Sequence, residues 1–181
     1  GIAGRQYAVH DGEDLDVAAA IESHYYPRFA GDSLPDTAEA AAVALADRLD
    51  TLVGIFGIGQ PPTGSKDPFA LRRASLAVIR ILINQQTPAS LQALLETAVS
   101  QHAAELEPDT VATVLQYTLD RLGSWYDEEG IHVSVLRAVL ATEATDLFDI
   151  DLRVRALAQF AQTETAEQLA AANKRVANIL A

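Results

Sequence analysis

Neither cysteine nor methionine occurs among the 181 residues. The first absence removes disulfides and thiolate metal sites, and with them any mark of a small secreted scaffold. The second, together with a first residue of Gly1, fits a piece excised or processed from a longer chain. No uninterrupted apolar run approaches the roughly 20 residues that span a bilayer, and the N-terminus lacks the basic-then-apolar order of a signal peptide. A cytoplasmic protein without membrane contact is the expectation. Positive charge is scarce: 13 Lys and Arg stand against 25 Asp and Glu, a net charge of −12. The deficit is uneven, with 7 basic and 11 acidic residues in 1–86 against 6 and 14 in 87–181. Phosphate contacts supply most of the affinity of nucleic-acid binders and need Lys and Arg, so only local basic patches remain open to that role. There is no Ser-His-Asp or Cys-His constellation, zinc spacing or complete phosphate loop, so no catalytic residue and no cofactor is expected within this chain. Strand-like alternation of useful length is missing too, which predicts an all-α helical bundle.

What is present is concentrated between Leu45 and Leu82. Apolar residues at Ala38, Ala41, Ala42, Leu45, Leu49, Leu52 and Phe56 step by three and four, which predicts a helix from about Asp36 to Phe56. Its other face carries Ala40, Val43 and Gly54 with Asp47 and Asp50 among them, so the helix is expected to be enclosed on most sides. Gly54, Gly57 and Gly59 then break the pattern, and Pro61 and Pro62 rule out helix. At Asp67-Pro68 a favoured N-cap precedes a favoured first helical residue, predicting a second helix from Pro68 to about Gln86. The intervening GQPPTGSK, Gly59 to Lys66, has the glycine spacing of a phosphate-binding loop. Ser65 and Lys66 stand in the wrong order for one, no strand precedes it, and two prolines remove N–H groups that a phosphate needs. A sharp turn between packed helices accounts for the glycines without a ligand.

Residues 1–9 read as the end of a helix broken by His10-Asp11-Gly12. Asp14 or Asp16 caps a second, Val17 to Tyr26, stopped at Pro27, and Tyr25, Tyr26 and Phe29 are expected to anchor this segment on the core. The pattern changes after Thr87-Pro88, which divides the chain into 1–86 and 87–181. Helices are predicted at about 88–104, 108–123, 131–141, 146–162 and 164–180, marked off by Pro108, Gly123, Gly130 and a polar turn over 142–146. In the last of these Ala166, Leu169, Asn173, Val176 and Leu180 share a stripe, so Asn173 is expected to be buried and to need a partner. Trp125 and Tyr126 read as packing anchors ahead of a base-stacking platform, since Asp127, Glu128 and Glu129 beside them repel a phosphate backbone.

The basic candidates are few. Arg73 and Arg80 lie seven residues apart and share a helical face, with Arg72 about 100° round and Lys66 at the helix entrance. Structural duty, either capping carbonyls or pairing with Asp47 and Asp50, competes here with nucleic-acid contact. Lys174 and Arg175 sit near a helix C-terminus, where the dipole favours cations without any ligand. His10, His24, His102 and His132 have no partners at ligand spacing and read as bland.

The run DTLVGIFGIGQPPTGSKDPFALRRASLAVIRIL resembles the signature segment of the β subunit of bacterial glycyl-tRNA synthetase, the α2β2 type. GIAGRQYAVHDGE and AIESHYYPRFAGDSLP resemble the segment before it, and LAAANKRVANIL resembles a later run, so the likeness follows the family's order along the whole chain. That β subunit is much longer, which makes this chain an internal to C-terminal piece. The resemblance implies an intact enzyme that joins glycine to tRNA(Gly) with ATP and Mg. Its α subunit would hold the aminoacylation site, while the β subunit binds and orients tRNA and holds the tetramer together. For this chain it implies part of an HD-like helical domain in 1–86 and, in 87–181, a helical region leading into the anticodon-binding domain. Lys66, Arg72, Arg73, Arg80, Lys174 and Arg175 become the tRNA-binding candidates. LADRL, Leu45 to Leu49, resembles the helix that carries the last metal-binding Asp of HD phosphohydrolases. The earlier His and His-Asp ligands would fall upstream of Gly1, so Asp47 reads as a vestigial position and a metal-dependent phosphohydrolase as the weaker alternative. A helical protein-interaction module without RNA contact is the other.

Overall fold

The computed structural model describes residues 1–29, 31–103 and 105–180, and among them every regular element is a helix. The first two, α1 (Ile2–His10) and α2 (Leu15–Ser23), form a hairpin turned at Gly12, whose φ of 83° suits a residue without Cβ. Asp14 caps α2 by accepting from the Asp16 N–H at 2.8 Å. Small side chains at Ala8, Ala18 and Ala20 are buried in this hairpin and where it meets the next helix.

That next helix, α3 (Ala38–Gly57), is capped by Thr37, whose hydroxyl accepts from the Ala40 N–H, and it packs on α2, α4, α5 and α6. It is less enclosed than its composition suggests. Ala40, Ala41, Ala44, Leu49, Leu52, Val53 and Phe56 are buried, but Ala42, Val43, Ala46, Asp47 and Asp50 stay exposed. Nor do its glycines break it. Gly54 and Gly57 are helical and serve as notches, because a Cβ on Gly54 would come within 2.7 Å of His102 Nε2 and one on Gly57 within 2.8 Å of Leu106 Cβ. The turn comes at Gly59, with φ of 73°. Gly57→Ala is therefore expected to lose about 1–2 kcal/mol, overpacking outweighing the helix propensity gained. Gly123→Ala, where an added Cβ meets nothing within 4 Å, is expected to gain about 0.5–1 kcal/mol. Urea unfolding of both variants checks the opposite signs.

The next helix, α4 (Leu71–Asn84), starts three residues later than its proline suggests. The Asp67 carboxylate does cap it, accepting from the Leu71 and Arg72 N–H groups at 2.8 and 3.0 Å, but across a turn in which Ala70 adopts a left-handed φ of 56°. Leu71, Val78, Ile79 and Leu82 pack with Leu49, Leu52, Val53 and Phe56 of α3 at the centre of the core. Beyond the turn at Thr87-Pro88 come α5 (Leu91–Gln101), α6 (Thr110–Glu128), α7 (Val133–Leu140) and α8 (Leu147–Phe160). Their Leu91, Leu95, Val114, Leu122, Leu136, Ile150 and Val154 join the same cluster, so one core draws on both sides of residue 87. α6 runs through Gly123 without a break. His132 caps α7, its ring nitrogen accepting from the Ser134 N–H, and Asp146 caps α8 through the N–H groups of Phe148 and Asp149.

The last helix, α9 (Glu164–Leu180), leaves its stripe uncovered: Leu169 and Val176 are 61% and 54% exposed, and Asn173 is exposed with them. Asn173 therefore needs no internal partner, because water reaches it. The side chain of Leu180 lies outside the described residues. No described helix is long and apolar enough to cross a membrane.

Candidate functional site

Between the exposed side of α4 and the end of α6 runs a groove of about 530 Å³, closed on one side by the loop that follows α2. Arg72, Arg73 and Arg80 come from α4, over a floor of Leu76 and Ala77. Ser124, Trp125, Glu128 and Glu129 come from α6, and Pro27, Phe29 and Gly31 from the loop. Positions 73, 76, 77 and 80 recur at helical spacing, so one face of α4 supplies both cations and floor.

The three arginines bind backbone carbonyls. Arg72 donates to the Gly64 carbonyl, Arg73 to that of Arg28 at 3.3 Å, and Arg80 to those of Phe29 at 3.4 Å and Asp32 at 2.9 Å. Of the two structural partners open to them, carbonyls are used; among the described residues none of the three forms an ion pair with Asp47 or Asp50. A carbonyl orients a guanidinium without cancelling its charge, so each of the three arginines keeps its own.

The nearby carboxylates are mostly occupied. Asp32 accepts from Arg28 through Nε at 2.8 Å, the other guanidinium arm at 3.2 Å and the backbone N–H at 2.8 Å. The Arg28 guanidinium holds its carboxyl well below the usual carboxylate range. Asp32 stabilises the loop fully above its unfolded pKa of about 3.9, and that contribution is lost as pH falls from there through the depressed folded value. Asp32→Asn should lower the urea midpoint at pH 6 and flatten its fall below pH ~4; an unchanged acid limb would refute the assignment.

On the opposite wall, Glu129 accepts from the Trp125 indole N–H at 2.8 Å and pairs with Arg155 at 2.9 Å. Arg155 in turn binds Asp151, which accepts from the Tyr126 hydroxyl at 3.0 Å inside the core. Burial, with Asp151 beside it, raises the Tyr126 pKa far above that of a free phenol. Glu128 is the one groove carboxylate without a side-chain partner among the described residues.

Lys66, Lys174 and Arg175 do not line the groove. Lys66 is exposed on a turn in which Thr63 and Lys66 exchange backbone hydrogen bonds at 3.1 and 2.8 Å, and Lys174 and Arg175 are exposed on α9. The same loop commits the N–H groups of Gly59, Gln60, Thr63 and Lys66 to backbone carbonyls, which accounts physically for glycine spacing without a phosphate cradle. Asp47 is exposed, and no group of three His, Cys, Asp or Glu suited to a metal occurs among the described residues.

Sequence reasoning missed two features. Tyr25 and Phe29 do not anchor their segment, being 52% and 58% exposed. Buried Arg48 does, donating to the carbonyls of His24, Tyr25 and Tyr26. Trp125 packs against the core as expected but also lines the groove.

The family model described as glycyl-tRNA synthetase beta subunit matches residues 1–141. Over the whole chain, the sequence is 52% identical to the glycine-tRNA ligase beta subunits of Pectobacterium carotovorum and Haemophilus influenzae. It is 53% identical to that of Marinobacter nauticus over 99% of the chain. In each case the chain spans 26% of the relative's length.

Proposed function

The chain belongs to the glycyl-tRNA synthetase beta subunit family, and from that premise we propose that it positions tRNA(Gly) and braces the subunit while glycine is attached to the tRNA. The intact enzyme would be a cytoplasmic α2β2 ligase using ATP and Mg, with the aminoacylation site on the α subunit and no catalytic residue in this chain. We read 1–86 as part of an HD-like helical domain and 87–181 as the region leading into the anticodon-binding domain. On this reading the single core that joins them transmits tRNA contacts rigidly from one to the other.

The observation that carries the tRNA role is the groove. In a chain of net charge −12, three arginines converge on carbonyl partners among the described residues, while Asp32 is paired with Arg28 and Glu129 with Arg155, which leaves Glu128 as the unpaired carboxylate of the groove. That is the local basic patch an otherwise acidic RNA binder requires. Lys66, one turn from the groove through Gly64 and Arg72, would extend the phosphate track, and Lys174 and Arg175 would contact RNA separately on α9. Filter binding of tRNA(Gly) to the 181-residue chain tests this. Arg73→Gln and Arg80→Gln should each weaken binding several-fold and lower the salt slope by roughly one. Lys66→Glu and a Lys174→Glu/Arg175→Glu pair test the outlying sites. If all bind as the parent does, at every salt concentration, the assignment of these residues fails.

A further inference from the structure

The groove holds more than cations. Phosphate contact alone needs an exposed row of charge, yet these arginines border a cleft of about 530 Å³ walled by Phe29, 58% exposed, and Trp125. That volume lies within the roughly 300–1,000 Å³ of small-ligand sites. The Trp125 indole is held by its edge, its N–H on Glu129 at 2.8 Å and Glu129 in turn on Arg155 at 2.9 Å. A ring fixed this way presents a pre-oriented platform, so stacking on it costs little ordering entropy. Glu128 stands at the same wall with an unused carboxylate, an acceptor and never a donor when ionised.

The geometry points to a pocket for one unstacked nucleotide of an RNA strand: its base lies against Trp125 and Phe29, its phosphates face Arg73 and Arg80, and Glu128 accepts from an exocyclic amino group of the base. This rests on the tRNA-positioning reading and adds a ligand unit and a base preference to it. Carboxylates accept from the cytosine amino group, whereas uracil offers none and its carbonyls would face the Glu128 oxygens. Cytidine is therefore favoured over uridine.

Trp125 is the single tryptophan of the chain, so intrinsic fluorescence reports on this groove alone. The test titrates the 181-residue chain with short oligocytidylate, oligouridylate and cytidine monophosphate, following tryptophan emission, with anisotropy of a labelled strand as a second readout. Oligocytidylate should quench the emission and bind at least about fivefold tighter than oligouridylate, and Glu128→Gln should shrink that difference. Trp125→Leu and the milder Phe29→Ala should each weaken strand binding roughly tenfold by anisotropy, with unchanged circular dichroism for Phe29→Ala. If Arg73→Gln weakens strand binding while the emission stays constant and Phe29→Ala binds as the parent does, the strand crosses on the arginines only; the pocket is then wrong and the tRNA reading survives. Quenching by the mononucleotide as strong as by the strand overturns the RNA-strand assignment in favour of a free nucleotide. Absence of binding by every RNA overturns both.

Discussion

Replacing Arg48 with leucine is expected to cost about 3–5 kcal/mol of folding stability, a large share of what a single domain has. Arg48 is 7% exposed, and its guanidinium pairs with no carboxylate among the described residues. One arm donates to the His24 and Ala44 carbonyls at 2.7 and 2.9 Å, the other to those of Tyr25 and Tyr26 at 2.9 Å each. Burial pushes its pKa down, but an arginine starts so high that it stays charged at any pH the fold survives. Three of these carbonyls follow the C-terminus of α2, where chain and helix dipole both present unpaired oxygen. Leucine would leave them without this donor in a half-buried site, at about 1–3 kcal/mol for each group that water does not reach. Lysine, with one ammonium in place of a two-armed fork, should recover only part of the loss. Urea denaturation measures both. A loss under about 1 kcal/mol for Arg48→Leu would mean that water replaces the guanidinium. The same substitution should weaken tRNA binding without touching RNA, because the segment Arg48 holds leads directly to Pro27 and Phe29 in the groove wall.

Helix identity was legible because periodicity and caps agree locally. The Asp14 and Asp67 caps and the 3.6-residue stripe of α3 depend only on residues within a turn or two. What was not legible depends on residues far apart in sequence. Gly54 and Gly57 look like helix breakers until His102 and Leu106 arrive from beyond α5 to fill the space a Cβ would take. The start of α4 was misplaced because Asp67 caps through a wider turn than Asp-Pro usually makes, set by the left-handed Ala70. The α9 stripe has the pattern of a core-facing helix, and pattern alone does not say whether anything in this chain covers it.

Within the site, the shared face of Arg73 and Arg80 was readable as helical geometry, and so were their two rival duties. The choice between them was not, because their acceptors, the carbonyls of Arg28, Phe29 and Asp32, lie some 45–51 residues upstream. The same distance hid the groove itself. A usable clue existed in the order Tyr-Pro-Arg-Phe over 26–29, a loop too rich in aromatic and cationic groups to be idle, though nothing local tied it to α4.

The second large effect is expected at Asp151, where alanine should cost about 2–3 kcal/mol. Asp151 is 6% exposed and takes hydrogen bonds from the Tyr126 hydroxyl at 3.0 Å and from Arg155 Nε at 2.9 Å. Its removal strands a hydroxyl on a side chain that is 1% exposed. Tyr126→Phe, which leaves Asp151 paired to Arg155, should cost only about 1 kcal/mol, and the double variant should cost less than the sum because the stranded group is gone. The tyrosine also sets an alkaline limit. Its folded pKa is raised, so both states keep the proton below about pH 10, while above it only the unfolded chain releases it. Stability should therefore fall as pH rises beyond about 10, and Tyr126→Phe should flatten that limb. The effect reaches the groove through Arg155. With Asp151 absent, Arg155 keeps its pairing to Glu129 but loses the carboxylate that fixes its Nε, so the support behind the Trp125 indole loosens. Asp151→Ala should thus reduce tRNA affinity while touching no RNA, through the loosened Trp125, and the reduction should persist at high salt because the substitution adds no negative charge to the groove.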